Sequence, residues 1–144
     1  GYRALRDWRA RHSPHTMLVD GEGDRGRNTI YWQLMEEGLL DAIQPDMLHM
    51  GFWPFHRLAL VIAESGCETR IAPHNFTAAA IGLRGVIQFG AVTESFVIAE
   101  DSTLKFDLYQ DPGYQFEGGH YAVPDEPGLG ITIDEDTIAK FRVH

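Results

Sequence analysis

Four short apolar runs recur along this 144-residue chain, each closing on an acidic residue or a histidine and each followed by a helical pattern. The residues at the ends of these runs are Glu22, Asp46, His74 and Glu100, separated by 24, 28 and 26 positions. Strand, loop and helix repeating at such an interval predict parallel βα units, because parallel strands need a long crossover between them. In folds of that kind the polar residues at the carboxyl ends of the strands converge on one face, where sites are built. Four units correspond to half of an eight-stranded barrel of the TIM type. A flavodoxin-like open sheet is the alternative, with helices on both faces and strand ends spread farther apart.

Taken in order, Tyr2, Leu5 and Trp8 fall at helical spacing among four arginines, which predicts an amphipathic helix over 2–12 that Ser13-Pro14 stops. Thr16–Val19 reads as the first strand, and a helix follows from about Asn28 to Glu37, closed by Gly38. Ala42–Asp46 reads as the second strand. A loop holding Gly51, Phe52 and Trp53 leads to a helix that begins at Pro54, buries Phe55, Leu58, Ala59 and Ile62, and ends at Gly66. Arg70–Pro73 is the third strand, Thr77 to about Phe89 its helix, and Phe96–Ala99 the fourth strand. Residues 1–101 thus form a partial barrel domain. Residues 102–144, rich in glycine and proline, read as a carboxy-terminal extension of loops and short extended pieces, with a last helix capped by Asp134 and running through Phe141.

Composition narrows the function. The net charge of -9, from 12 Lys+Arg against 21 Asp+Glu, argues against nucleic acid or an anionic membrane as partner. Cys67 is the only cysteine, which excludes an intrachain disulfide and a cysteine-built metal site. No apolar run has membrane-spanning length and no signal peptide is visible, so a cytoplasmic protein is expected. Asp20, Glu22 and Asp24 alternate like the opening of a calcium loop, but Arg25 stands where the glycine belongs and Tyr31 where the closing glutamate belongs. There is neither a G-x-G-x-x-G between a strand and a helix nor a G-x-S-x-G elbow. A chain that starts at Gly1, inside a helical pattern, is expected to be a piece of something longer.

Gly21-Glu22, then Asp41–Asp46, then Ala72-Pro73-His74-Asn75, then Ala99-Glu100 resemble the last four barrel strands of the enolase superfamily, in the branch of mandelate racemase and the acid-sugar dehydratases. The stretch Val123–Ile131 is similar to the segment that closes those proteins and returns toward their amino-terminal capping domain. The likeness spans roughly residues 2–141. It implies the carboxy-terminal half of a (β/α)8 barrel and an enzyme that abstracts the proton α to a carboxylate.

In that reading Glu22 is a carboxylate ligand of Mg²⁺, a hard cation that favours oxygen donors. Asp46 and His74 form a dyad in which the carboxylate fixes the imidazole tautomer and the free nitrogen exchanges a proton with substrate. Glu100 faces the substrate carboxylate as an acid, and Asn75, Phe52 and Trp53 are candidates to bind substrate. Departures from the pattern are that Gly51 is followed by Phe52-Trp53 where a second glycine is usual, and that Lys105 and Lys140 form no Lys-x-Lys. The resemblance further implies a sugar-acid substrate, a capping domain and barrel half absent from this sequence, and homo-oligomers. A racemase or epimerase, or an inactive half-barrel acting by association, are the alternatives.

Overall fold

The computed structural model describes residues 1–23, 29–75, 79–101, 109–110 and 114–140. At its centre is a parallel sheet of Val19–Asp20 (β1), Ala42–Ile43 (β2) and Arg70–Ile71 (β3), in spatial order β1-β2-β3. Val19 stands opposite Ala42 and Asp20 opposite Ile43, while Ala42 and Ile43 face Arg70 and Ile71 on the other side. Each crossover is helical, as parallel pairing requires. Helix α1 (Tyr2–His12) precedes the sheet, α2 (Thr29–Glu36) joins β1 to β2, and α3 (Met47–Met50) with α4 (Phe52–Ser65) joins β2 to β3. Helix α5 (Ala79–Ala91) follows β3.

The apolar spacing of α4 decides what it buries. Phe55, Leu58, Ala59 and Ile62 are all buried, as their helical repeat predicts. Phe55 meets the Phe89 ring of α5 edge to face, centroids 4.9 Å apart, and both are fully enclosed with Ile71 and Ile62. Each such side chain stabilises the fold by about 1.5–3 kcal/mol through removal of apolar surface from water.

Three sequence expectations are corrected. Thr16–Val19 overlaps the first strand only at its end: β1 is Val19–Asp20, and Leu18 meets the sheet through its carbonyl alone, which accepts from Asp41 N at 2.8 Å, while its N–H goes to the Asp41 side chain at 2.6 Å. Phe52 and Trp53 are not in a loop but open α4, leaving Pro54 third in the helix and still within its first turn. The break comes earlier, at Gly51, whose φ of 83° and ψ of 156° end α3 and start α4 at one residue. Phe96–Ala99 does not form a full fourth strand. It touches β3 through one bridge, Ile71 with Phe96, in which Ile71 donates to Ser95 O and Val97 donates to Ile71 O, both at 2.9 Å. Helix α1 spans the expected residues but buries none completely: Leu5 and Trp8 are exposed, and polar contacts fasten the helix. Tyr2 donates to Asp20, Arg9 pairs with Asp41, and Arg3 reaches Glu37 at 2.6 Å. The expected starts of two helices, at Asn28 and Thr77, and the end of a third, at Phe141, lie outside the described residues; α5 runs two residues past Phe89.

Beyond Glu100 the chain turns to short antiparallel pairs. Tyr109–Gln110 (β4) pairs with Thr132–Ile133 (β7), and Phe116–Glu117 (β5) with His120–Tyr121 (β6). Tyr114 is buried against Leu83 and Ile87 of α5, donates its hydroxyl to Leu129 O at 2.6 Å, and carries the Arg84 guanidinium 4.6 Å over its ring. Asp134 caps the final helix, α6 (Glu135–Ala139), by accepting the Thr137 N–H at 2.9 Å, as predicted. Among the described residues no helix is long and apolar enough to cross a membrane.

Candidate active site

The ends of the strands meet where the periodicity predicts. Asp46 and His74 each lie three residues past their strands and still face one another as a parallel bridge. His74 N–H also donates to Pro45 O at 3.2 Å. The shared register delivers the side chains to each other: His74 Nδ1 lies 2.8 Å from Asp46 Oδ1. A carboxylate only accepts, so Nδ1 carries the hydrogen and donates. Nε2 points away, with Glu22 Oε1 at 3.5 Å and Glu100 Oε2 at 3.9 Å. Asp46 is buried, His74 nearly so, and Glu22 is open to solvent.

Glu22 reaches this point through a turn only glycine makes easily. Gly21 has φ 119°, and a Cβ there would lie 3.2 Å from the Gln44 backbone N. Gly21→Ala is expected to cost about 1–3 kcal/mol in chemical denaturation. Gly23→Ala, where a Cβ meets nothing within 4 Å, is expected to cost less despite its φ of 74°. Equal losses would show that the space beside Gln44 is not the constraint.

Three contacts escape sequence reading. Gly23 donates its N–H to Asp46 Oδ2 at 3.2 Å, tying the Glu22 turn to the dyad. His49 Nδ1 approaches the same oxygen at 3.3 Å from one turn along α3. Their spacing of three places them on one helical face and is readable in retrospect, whereas a backbone donor leaves no residue signature. Asn75 is the third. It is fully buried, its N–H donates to Glu100 Oε2 at 2.7 Å, and its side-chain Nδ2 donates to Glu100 O at 3.0 Å.

Residues 1–137 match the family described as enolase C-terminal domain-like. The chain belongs to that family. Its parallel strands and helices are accordingly part of a (β/α)8 barrel. This enolase-type chain is similar to the D-galactarolactone cycloisomerase of Agrobacterium fabrum, 29% identical over 138 residues that make up 88% of this chain and 35% of that protein. Its structure resembles that of a galacturonate dehydratase from Geobacillus sp. in complex with D-galacturonate and 5-keto-4-deoxy-D-galacturonate, with a TM-score of 0.77 at 26% identity over 96% of this chain and 36% of that one. A mandelate racemase/muconate lactonizing protein from Geobacillus sp. Y412MC10, complexed with magnesium and tartrate, gives 0.79 at 27% identity over 96% and 35%. The chain spans about a third of the length of these relatives.

Two of the residues expected to touch substrate line a groove that the strand-end residues do not reach. Phe52 and Trp53 line a surface groove of about 500 Å³ with His56, Gln88, Val92 and Leu129, and none of the four strand-end residues lines it. Asn75 is at the site but faces Glu100 and is sealed from solvent.

The dyad is electrostatically one unit. Burial opposes ionisation of Asp46, but the hydrogen bond from His74, the Gly23 N–H, and the charges of His74 and His49 outweigh it and hold the carboxyl below its ordinary 3.8. Burial likewise pulls the His74 pKa down, and the hydrogen bond and charge of Asp46, with Glu100 and Glu22 adding, carry it above 6.5. The signs define a pH window. The Asp46 contribution to stability is present above 3.8 and is lost as pH falls through its lower folded value. The His74 contribution is complete below 6.5 and is lost as pH rises through its higher folded value. The denaturation midpoint is therefore expected to be higher at about pH 5.5 than at about pH 8.5. That difference is expected to shrink in Asp46→Asn, and an unchanged difference would place its origin elsewhere.

Proposed function

We propose that these residues form the histidine-bearing part of an acid-sugar dehydratase, which removes the proton next to a carboxylate and expels a hydroxyl group as water. The reading rests on the His74 ring: Nδ1 is engaged by Asp46 at 2.8 Å, and Nε2 is turned toward Glu22 and Glu100. A histidine so held presents a single nitrogen of defined protonation, which is what a proton-transfer group needs. The sugar-acid ligands of the Geobacillus galacturonate dehydratase support the substrate class.

In this mechanism neutral His74 accepts a proton at Nε2, or protonated His74 delivers one from it. When the α C–H bond breaks, its electron pair moves into the substrate carboxylate. The pair then returns to break the neighbouring C–OH bond, the oxygen leaves as water, and the enol left behind becomes a ketone. Asp46 supports the imidazolium form, and Glu100 lies beside the developing charge as its acid partner.

Mg²⁺ is the cofactor this reading implies, with Glu22 as one ligand. Among the described residues no group of three His, Cys, Asp or Glu could hold a metal ion. A hard cation needs several oxygen donors, so these residues by themselves do not fit one. In this reading the remaining ligands lie beyond these described residues, and the proton steps above rest on the side chains alone. The 144-residue chain is accordingly expected to give no saturable heat on titration with millimolar Mg²⁺; saturable binding would overturn the sharing of ligands.

The functional test is incubation of the complete enzyme with aldonic, aldaric and uronic acids in D₂O. Formation of a keto-deoxy acid with deuterium in the new CH₂ group is expected. Deuterium entry without loss of water would replace the dehydratase reading with a racemase or epimerase, and neither event with any acid would defeat both.

A further inference from the structure

We infer that Asn75 is a positioning residue that divides the two oxygens of Glu100, committing Oε2 to the protein and leaving Oε1 for the ligand. The inference rests on the proposed role of Glu100 at the substrate. Asn75 grips Glu100 at both ends. Its backbone N–H donates to the carboxylate Oε2 at 2.7 Å, and its carboxamide Nδ2 donates to the Glu100 carbonyl at 3.0 Å. His74 Nε2 lies on the side of that same Oε2, at 3.9 Å. Among the described residues no donor meets Oε1.

The carboxamide has only one workable orientation. Turned over, it would set Oδ1 against the Glu100 carbonyl, two acceptors facing each other with no hydrogen between them. In the orientation present, Oδ1 is buried without a partner. An orphaned buried acceptor is unfavourable and uncommon. A group that served only to fill the core would have no reason to retain it, whereas a group required to point Nδ2 at Glu100 leaves Oδ1 unmatched as a by-product. The ladder between β3 and Phe96–Ala99 stops after one bridge, where its next donor would be Pro73, which has no N–H, and the Asn75 carboxamide holds Glu100 beyond that point. A side chain replaces the ladder where the ladder stops.

The consequence is chemical. An oxygen that accepts a 2.7 Å hydrogen bond is a poor place for a proton, so when Glu100 acts as an acid its proton sits on Oε1. Asn75 therefore contributes to proton placement without touching substrate.

Backbone amide exchange in the 144-residue chain tests the clamp. The residue-75 N–H reports the bond to Oε2, and the Ala72 N–H, donating to Ile43 O at 2.9 Å, reports the sheet. Asn75→Ala and Asn75→Asp are expected to speed exchange at residue 75 about tenfold, the scale of one lost hydrogen bond, with Ala72 unchanged. Glu100→Ala is expected to do the same, whereas Glu100→Gln, which retains an acceptor oxygen, restores most of the protection. Unchanged exchange at residue 75 in the Asn75 variants would overturn the proposal. So would equal acceleration at Ala72, since Asn75 would then only stabilise the fold. The measurement needs neither substrate nor metal, so its failure counts against the clamp alone, and failure of the D₂O assay counts against the dehydratase reading alone.

Discussion

Replacing His74 by asparagine is expected to reduce turnover of the complete enzyme by about 100-fold or more, with substrate binding much less affected. Asparagine retains a side-chain donor toward Asp46 but has no nitrogen that takes up and releases a proton near neutral pH. A positioned acid or base contributes about 10² to 10⁴ in rate, so the low end of that range is the least effect compatible with the role. Asp46→Asn is expected to be nearly as harmful. The imidazole would lose the acceptor that keeps hydrogen on Nδ1, and the charge that raises its pKa. Rate measurement with substrate in excess separates these effects from weakened binding. If His74→Asn kept more than about half of the wild-type rate, the proton would have to travel by another route.

Phe55→Ala is expected to have the largest effect on stability, about 3–5 kcal/mol, with a fall in melting temperature of roughly 10 °C or more. Phe55 has no exposed surface, and its ring packs from α4 against the fully buried Phe89 of α5. Truncation removes the transfer free energy of the ring and leaves a void between two helices that cannot collapse independently of the sheet. Trp53→Ala, two residues earlier on the same helix, provides the comparison. Trp53 is larger but 77% exposed, and its loss is expected to change stability by less than about 1 kcal/mol. A loss at Trp53 equal to that at Phe55 would mean that the aromatic-lined groove is part of the core.

How much of this is legible in the residues alone varies by element. The parallel βα order, the helix over 2–12, the buried face of α4 and the Asp134 cap all follow from spacing, since apolar periodicity and capping chemistry are local properties. The convergence of Glu22, Asp46, His74 and Glu100 is also legible, because the interval between them is the interval of the fold itself. Three features were decided only by tertiary structure. Leu18 meets the sheet through its carbonyl alone because the Asp41 side chain, 23 residues away, takes its N–H. Glu100, beyond the single bridge of the last strand, is held by the Asn75 carboxamide on its carbonyl. Phe52 and Trp53 line the groove because Gly51 starts a helix that carries them to it. In the first two cases a side chain substitutes for a backbone partner across many residues, and no window of local sequence contains both atoms. The residue types and their rhythm determined which groups arrive at the site, and the packed chain determined which oxygen, nitrogen and carbonyl each one meets.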